Sequence, residues 1–366
     1  MKRFKAWCGA GWRVAVCLLL LLWIFHSIFM NQGRVWAQRE GLRWEQMSRS
    51  QQWHLAWNKG PQDLWHTLSL VHPGALVISV LLVGLTVWLG VVRWRIVLQA
   101  QGLHLSMSCA TRISLVAQFF NSFLLGSTGG DLIKAYYAAR ETHHLKTEAV
   151  TTVFVDRLIG LWVMLFFAGV MMLPNLQLVR RHSQFAVPAL FILAMLAAVS
   201  VVLFLAFWGG VSKRFPRARH YLRRLPKGVL LERSVDSCRQ YGRENALLIK
   251  TVVLSLAVNL TWVLQTAVLG WGLDLAIPFV ALLVIVPTIL CISALPITPN
   301  GLGVRENLFV IMLAVIAVPG DAALSLSLLA SAQGILWSLI GGVVYMGVRQ
   351  KENLADVTNP EVTANN

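Results

Sequence analysis

Seven apolar runs, each about long enough to cross a bilayer as a helix, constrain this chain more than any other feature. They are Arg13 to Met30, Pro73 to Val92, Ala149 to Leu173, Phe185 to Trp208, Thr251 to Leu273, Leu275 to Leu295 and Ala322 to Val348. A helical span needs about 20 predominantly apolar residues. Asn307 to Val318 is shorter and reaches further only if its helix begins near Gly303. None of these runs alternates with the period of two that a barrel strand requires. Hydrophobic residues make up 57% of the chain and charged residues 13%, about half the charged share of a soluble domain. The expected fold class is therefore all-α: a polytopic integral membrane protein with about eight transmembrane helices.

The net charge of +16 raises nucleic acid as a partner, and its distribution argues against one. Ten Lys or Arg lie between Lys213 and Arg243, between two apolar spans. That placement marks a cytoplasmic loop and suits contact with anionic headgroups. Five cysteines, Cys8, Cys17, Cys109, Cys238 and Cys291, form no CxxC pair, so neither a disulfide framework nor structural zinc is expected. The adjacent His143 and His144 cannot share one helix face, and no metal or cofactor is assigned to the chain. The basic N-terminus followed by an apolar run resembles a signal peptide. The candidate cleavage site Val35-Trp36-Ala37 lies well beyond that run, and an uncleaved first helix is expected.

The N-terminal basic residues place the N-terminus inside. The second span then returns at Arg93 and Arg95. If Ser106 to Gly126 enters the membrane and turns back, 24 basic residues fall inside and seven outside, with Arg157 within a span. A full crossing would put the ten-charge loop outside, so the positive-inside rule favours re-entry and cytoplasmic chain ends. Gly126, Gly129 and Gly130 supply the necessary break. Pro296, Pro299, Gly301 and Gly303 repeat the device in the second half. Irregular backbone at membrane depth survives only when covered by protein or facing a watery cavity, and paired interruptions in two halves point to a transport site. Residues 1–350 thus read as one transmembrane domain with a polar tail over 351–366. Its external segment, 31–72, contains Trp36, Trp44, Trp53, Trp57 and Trp65, a density that suits a helix lying in the membrane interface. The basic loop covers 209–246.

Ionisable groups at membrane depth cost about 2.5–3.5 kcal/mol each on insertion scales, so those retained are candidates for a site. They are Asp131 and Lys134 after the first glycine pair, Asp156 and Arg157 within a span, and Arg305 and Glu306 after the second break. Lys134 falls on the same helix face as Asp131. Asp156 and Arg157 diverge and cannot share a partner, as do Arg305 and Glu306. Three acids and three bases balance, which fits mutual pairing in a buried site. Asp131 and Arg305, each after a glycine-rich break, are expected to act across the two halves, as a pair or around one substrate.

Three stretches resemble signatures of a known family: Phe120 to Tyr137, Val153 to Leu161 and Leu295 to Glu306. The family is the flippase-like transmembrane region of bacterial lysylphosphatidylglycerol synthases, which also occurs as stand-alone proteins. The resemblance runs from about Pro73 to Val348 and implies an inner-membrane protein that moves lipids between leaflets. Gly126 stands where proline is common, Lys134 where arginine is common and Asn300 where glycine is common. Lysine keeps the charge and loses bidentate phosphate binding. No aminoacyl-transferase domain follows Val348, so aminoacylation by this chain alone is not expected. The leading functional reading is a translocase of a lipid or lipid-linked intermediate, without a GxxxxGK[ST] loop of its own. Its expected partners are membrane lipids, anionic or lipid-linked. The alternatives are an intramembrane transferase acting on a lipid-linked sugar and a partner subunit of a separately encoded lipid-modifying enzyme. A homo-oligomer stays open.

Overall fold

The computed structural model describes residues 26, 29–30, 33–34, 36–38, 40–123, 129–142, 145–181, 185–207, 241–242, 244–295, 301 and 303–358. The first apolar run lies mostly outside these residues, as do His143, His144, Cys8, Cys17, Cys238, Gly126 and nearly all of the basic loop. After a 3-10 turn at Trp44–Gln46 come eleven α-helices among the described residues: α1 Arg49–Leu70, α2 Pro73–Gln99, α3 Met107–Phe123, α4 Gly129–Glu141, α5 Lys146–Met171, α6 Leu176–Arg181, α7 Ala186–Phe207, α8 Asn245–Gly272, α9 Phe279–Ser293, α10 Val304–Ala314 and α11 Gly320–Thr358. No strand occurs among the described residues. Among the described residues, five helices are long and apolar enough to cross a membrane: α2, α5, α7, α8 and α11.

Contacts at the helix ends set the direction of each element. The His72 N–H donates to Gly272 O at 3.0 Å, so the start of α2 meets the end of α8. Asn175 Nδ2, just after α5, donates to Val280 O at 3.0 Å, bringing the start of α9 to that same end of the bundle. At the opposite end, the Tyr241 hydroxyl donates to Val97 O at 3.0 Å. α2 and α11 run the same way, joined by a buried polar chain. Gln265 Nε2 donates to Gln333 Oε1 at 2.7 Å, and Gln333 Nε2 donates to Ser79 Oγ at 2.5 Å. Where lipid offers no hydrogen bond, such a chain fixes helix register.

α3 and α4 form a re-entrant hairpin. α3 rises from the α11 C-terminal half, where Gly341 lies against Leu115 and Ser122 Oγ meets Ser338 Oγ at 2.6 Å. α4 then folds back on α3. A Cβ at Gly130 would stand 2.0 Å from Ala117 O, so only glycine allows this approach. The Gly130 N–H is taken by Asn121 Oδ1 at 2.8 Å, which caps the start of α4.

α9 and α10 form the second hairpin, and it enters from the other end. α9 has 15 residues and α10 has 11, so the runs Leu275–Leu295 and Asn307–Val318 each give a helix too short for a full crossing. α10 runs antiparallel to α11: Glu306 faces Ser331, and Val310 faces Gly320. Gly301 and Gly303 have φ of +71° and +82°, the left-handed region that glycine enters freely. Nothing lies within 4 Å of a Cβ at Gly303. Dihedral angle, rather than packing, requires glycine there. The halves therefore repeat one device in inverted orientation, an arrangement shared with many transporters.

The aromatic segment supports α1. Trp57 Nε1 donates to His26 Nδ1 at 2.9 Å, Trp53 and Trp57 are 5.5 Å apart, and Phe29, Ala56 and Leu328 share one apolar cluster. Trp53 and Trp65 stay exposed. The basic-residue distribution gives an orientation that labelling can check. In a background without native cysteines, Leu42→Cys should react with an impermeant thiol reagent in intact cells, and Gln240→Cys only after lysis. Equal labelling of Gln240→Cys before and after lysis would reverse the assignment.

Candidate functional site

The first hairpin brings four charged residues against α2 and α5. Helix α2 continues seven residues past Val92, which carries Arg93 into the bundle instead of leaving it at a cytoplasmic end. Its guanidinium grips Asp156 through two hydrogen bonds, Nε to Oδ1 at 2.8 Å and Nη2 to Oδ2 at 3.2 Å. Nη1 donates to Ser255 Oγ on α8 at 3.0 Å. Gly160 makes room for this group, since a Cβ there would sit 2.8 Å from Arg93 Nη1. Such a bidentate fork is the strongest form of buried ion pair.

Lys134 approaches the same carboxylate from α4. Its Nζ lies 3.6 Å from Asp156 Oδ2, beyond good hydrogen-bond reach, and 4.2 Å above the Trp94 ring. One turn earlier on α4, Asp131 accepts a 2.5 Å hydrogen bond from Arg157 Nε. The divergence of Asp156 and Arg157 is as the sequence implies, and each serves a different partner. The two pairs differ in environment. Arg93, Lys134 and Asp156 are nearly buried, whereas the Arg157 side chain is 47% exposed and that of Asp131 18%. Leu132 and Tyr136 on α4 and Phe154 on α5 are exposed on the same two helices.

The second hairpin carries Arg305 and Glu306. Glu306 Oε2 accepts from the Gly303 N–H at 2.5 Å, turning the carboxylate back on the start of its own helix. Arg305 Nη2 donates to Ser331 Oγ, and Ser331 Oγ in turn lies 3.4 Å from Glu306 Oε1. Arg305 and Glu306 diverge on α10 yet converge on Ser331, because the long guanidinium stem reaches around. Asp131 and Arg305 are not partners. Asp131 bonds Arg157, and Arg305 bonds Ser331. Their clusters also occupy different levels. Ser79 and Arg93 mark those levels on α2, fourteen residues or about 21 Å apart along the axis.

Arg93, Trp94, Ser255 and Ser331 complete these clusters and were not singled out by sequence. Arg93 read as a loop charge by the positive-inside rule. The signal against that reading is Ile96-Val97-Leu98, which resumes the apolar run beyond Arg95. With Arg93 included, the buried set holds four bases and three acids. The first cluster accounts for the surplus: Arg93, Lys134 and Arg157 against Asp131 and Asp156.

No curated protein matches this chain. A family model described as the lysylphosphatidylglycerol synthase TM region matches residues 50–342, from α1 through most of α11. With a multi-pass helical fold and both glycine-interrupted hairpins inside that match, the chain belongs to the lysylphosphatidylglycerol synthase transmembrane-region family.

Proposed function

We propose that this protein translocates a lipid, or a lipid-linked intermediate, whose headgroup carries a phosphate. The supporting observation is the Asp131–Arg157 pair. Arg157 is the twelfth of 26 residues in α5 and remains half exposed. A charge at that depth must face a watery cavity or a polar group. The helices that carry the pair also expose the apolar side chains Leu132, Tyr136 and Phe154. A polar centre within an apolar wall matches an amphiphile, with the headgroup at the ion pair and the acyl chains in the bilayer. The surplus positive charge of the cluster favours an anionic headgroup.

Purified protein in liposomes tests this reading. A lipid labelled on its headgroup, in the inner leaflet, should become accessible to an external quencher in the presence of the protein and stay protected without it. Arg157→Gln should reduce that rate about tenfold or more, since a hydrogen bond to a charged group is worth roughly 1.5–3 kcal/mol. Because Asp131 then loses its partner, the rate is compared at equal folded yield. Headgroup movement no faster than in empty liposomes would remove the translocase reading.

A further inference from the structure

We infer that Trp94 and Lys134 form an oxyanion subsite in the interior of the first cluster, with the Trp94 indole N–H as a ligand-binding donor. Three observations lead there.

The first is an idle donor. Trp94 is fully buried, and its Nε1 has no hydrogen-bond partner among the described residues. Tryptophans elsewhere in the fold do better. Trp162 Nε1 donates to Ser200 Oγ at 2.8 Å, Trp337 Nε1 to Val80 O at 3.0 Å and Trp57 Nε1 to His26 Nδ1 at 2.9 Å. A buried indole normally finds a partner, and leaving one unmade is costly.

The second is a surplus cation in the same place. The Lys134 ammonium lies over the Trp94 ring at 4.2 Å. Asp156 satisfies it only in part. Both carboxylate oxygens are committed to Arg93, at 2.8 and 3.2 Å, and Lys134 is left at 3.6 Å. Arg93 and Asp156 are the fixed frame, and Lys134, held more loosely at 3.6 Å, is the cation able to turn to an incoming group.

The third is the placement of a route. Lys134 shares a face of α4 with Asp131, and the Asp131–Arg157 pair is at the exposed end of that face. An anion displacing Asp131 from Arg157 would next meet Lys134 and the indole N–H. The ligand class is a phosphate oxyanion, from either a lipid headgroup or free phosphate. That choice of class rests on the translocase reading, while the subsite itself rests on the idle donor and the surplus cation.

Binding to the purified full chain in detergent decides the matter, with dihexanoyl phosphatidylglycerol and inorganic phosphate as separate probes. Trp94→Phe keeps an aromatic face beneath Lys134 and removes the N–H, together with part of the buried bulk of the indole. It should weaken binding about tenfold or more, with the smaller ring also lowering the melting temperature somewhat. Lys134→Gln should weaken it further. Should Trp94→Phe fail to purify, Lys134→Gln decides the same question. If both probes respond to the substitutions, the subsite reads the oxyanion alone; if only the lipid does, it reads a headgroup with its chains. Either supports the assignment. No binding of either probe to the wild-type protein, or unchanged affinity in the variants, would overturn it. A melting temperature lowered by Trp94→Phe at unchanged affinity would overturn it too, leaving Trp94 a packing residue. Absence of headgroup movement in liposomes alongside Trp94-dependent binding would remove the translocase and leave the subsite.

Discussion

Asp156→Leu is expected to be the most destabilising change at a charged position, lowering stability by about 3–5 kcal/mol. Two cations, Arg93 and Lys134, converge on this one carboxylate, and all three side chains are nearly buried. Removing the acid strands both cations away from water. Asp156→Asn should cost less, since an amide oxygen still accepts one bond from Arg93. Arg93→Met combined with Asp156→Leu should be milder than the sum of the single changes, because the frame is removed whole. Unfolding of the purified variants in detergent measures each term. A single Asp156→Leu variant as stable as the wild type would show that the frame contributes nothing to the fold.

Gly130→Leu should prevent the first hairpin from closing. The Cβ alone would press to 2.0 Å from Ala117 O and 2.5 Å from Asn121 Cγ, and one of these contacts is backbone that cannot rotate away. Little folded protein is expected after detergent extraction, judged by a monodisperse gel-filtration peak. Gly303→Ala is the matched control. A Cβ there meets nothing within 4 Å, and only its φ of +82° is unfavourable. The cost is about 1–3 kcal/mol, and folded yield should fall far less than for Gly130→Leu. Equal behaviour of the two variants would mean that close approach is not what the first glycine provides.

Much of this architecture is legible in the residues, for physical reasons. Lipid demands long apolar helices, so α2, α5, α7, α8 and α11 announce themselves by run length. Glycine clusters announce the hairpins because few other residues tolerate such turns at depth. The separation of Asp156 from Arg157 follows from helix geometry alone. What resists sequence reading is level along the membrane normal. Arg93 is adjacent to the end of an apolar run, and a long side chain there reads equally well as a loop charge. A direct pair of Asp131 with Arg305 does not form for the same reason: both follow glycine breaks, yet their hairpins insert from opposite ends. Trp94 is silent in sequence because tryptophan near a span end ordinarily reads as an interfacial anchor. Only its buried, unpartnered nitrogen sets it apart.

The seating of α3 has a consequence for biogenesis. α3 and α4, with 17 and 13 residues, are too short for the bilayer to hold as crossing helices. Their seat includes Ser338, Gly341 and Gly342 on α11, more than two hundred positions later in the chain. A ribosome making this protein releases the first hairpin, with its seats on α2 and α5, long before the α11 part of the seat exists. Until the last helix is inserted, one face of the hairpin has no partner. Shortening the chain before Gly341 should therefore expose α3 and α4 to proteolysis while leaving the earlier spans embedded.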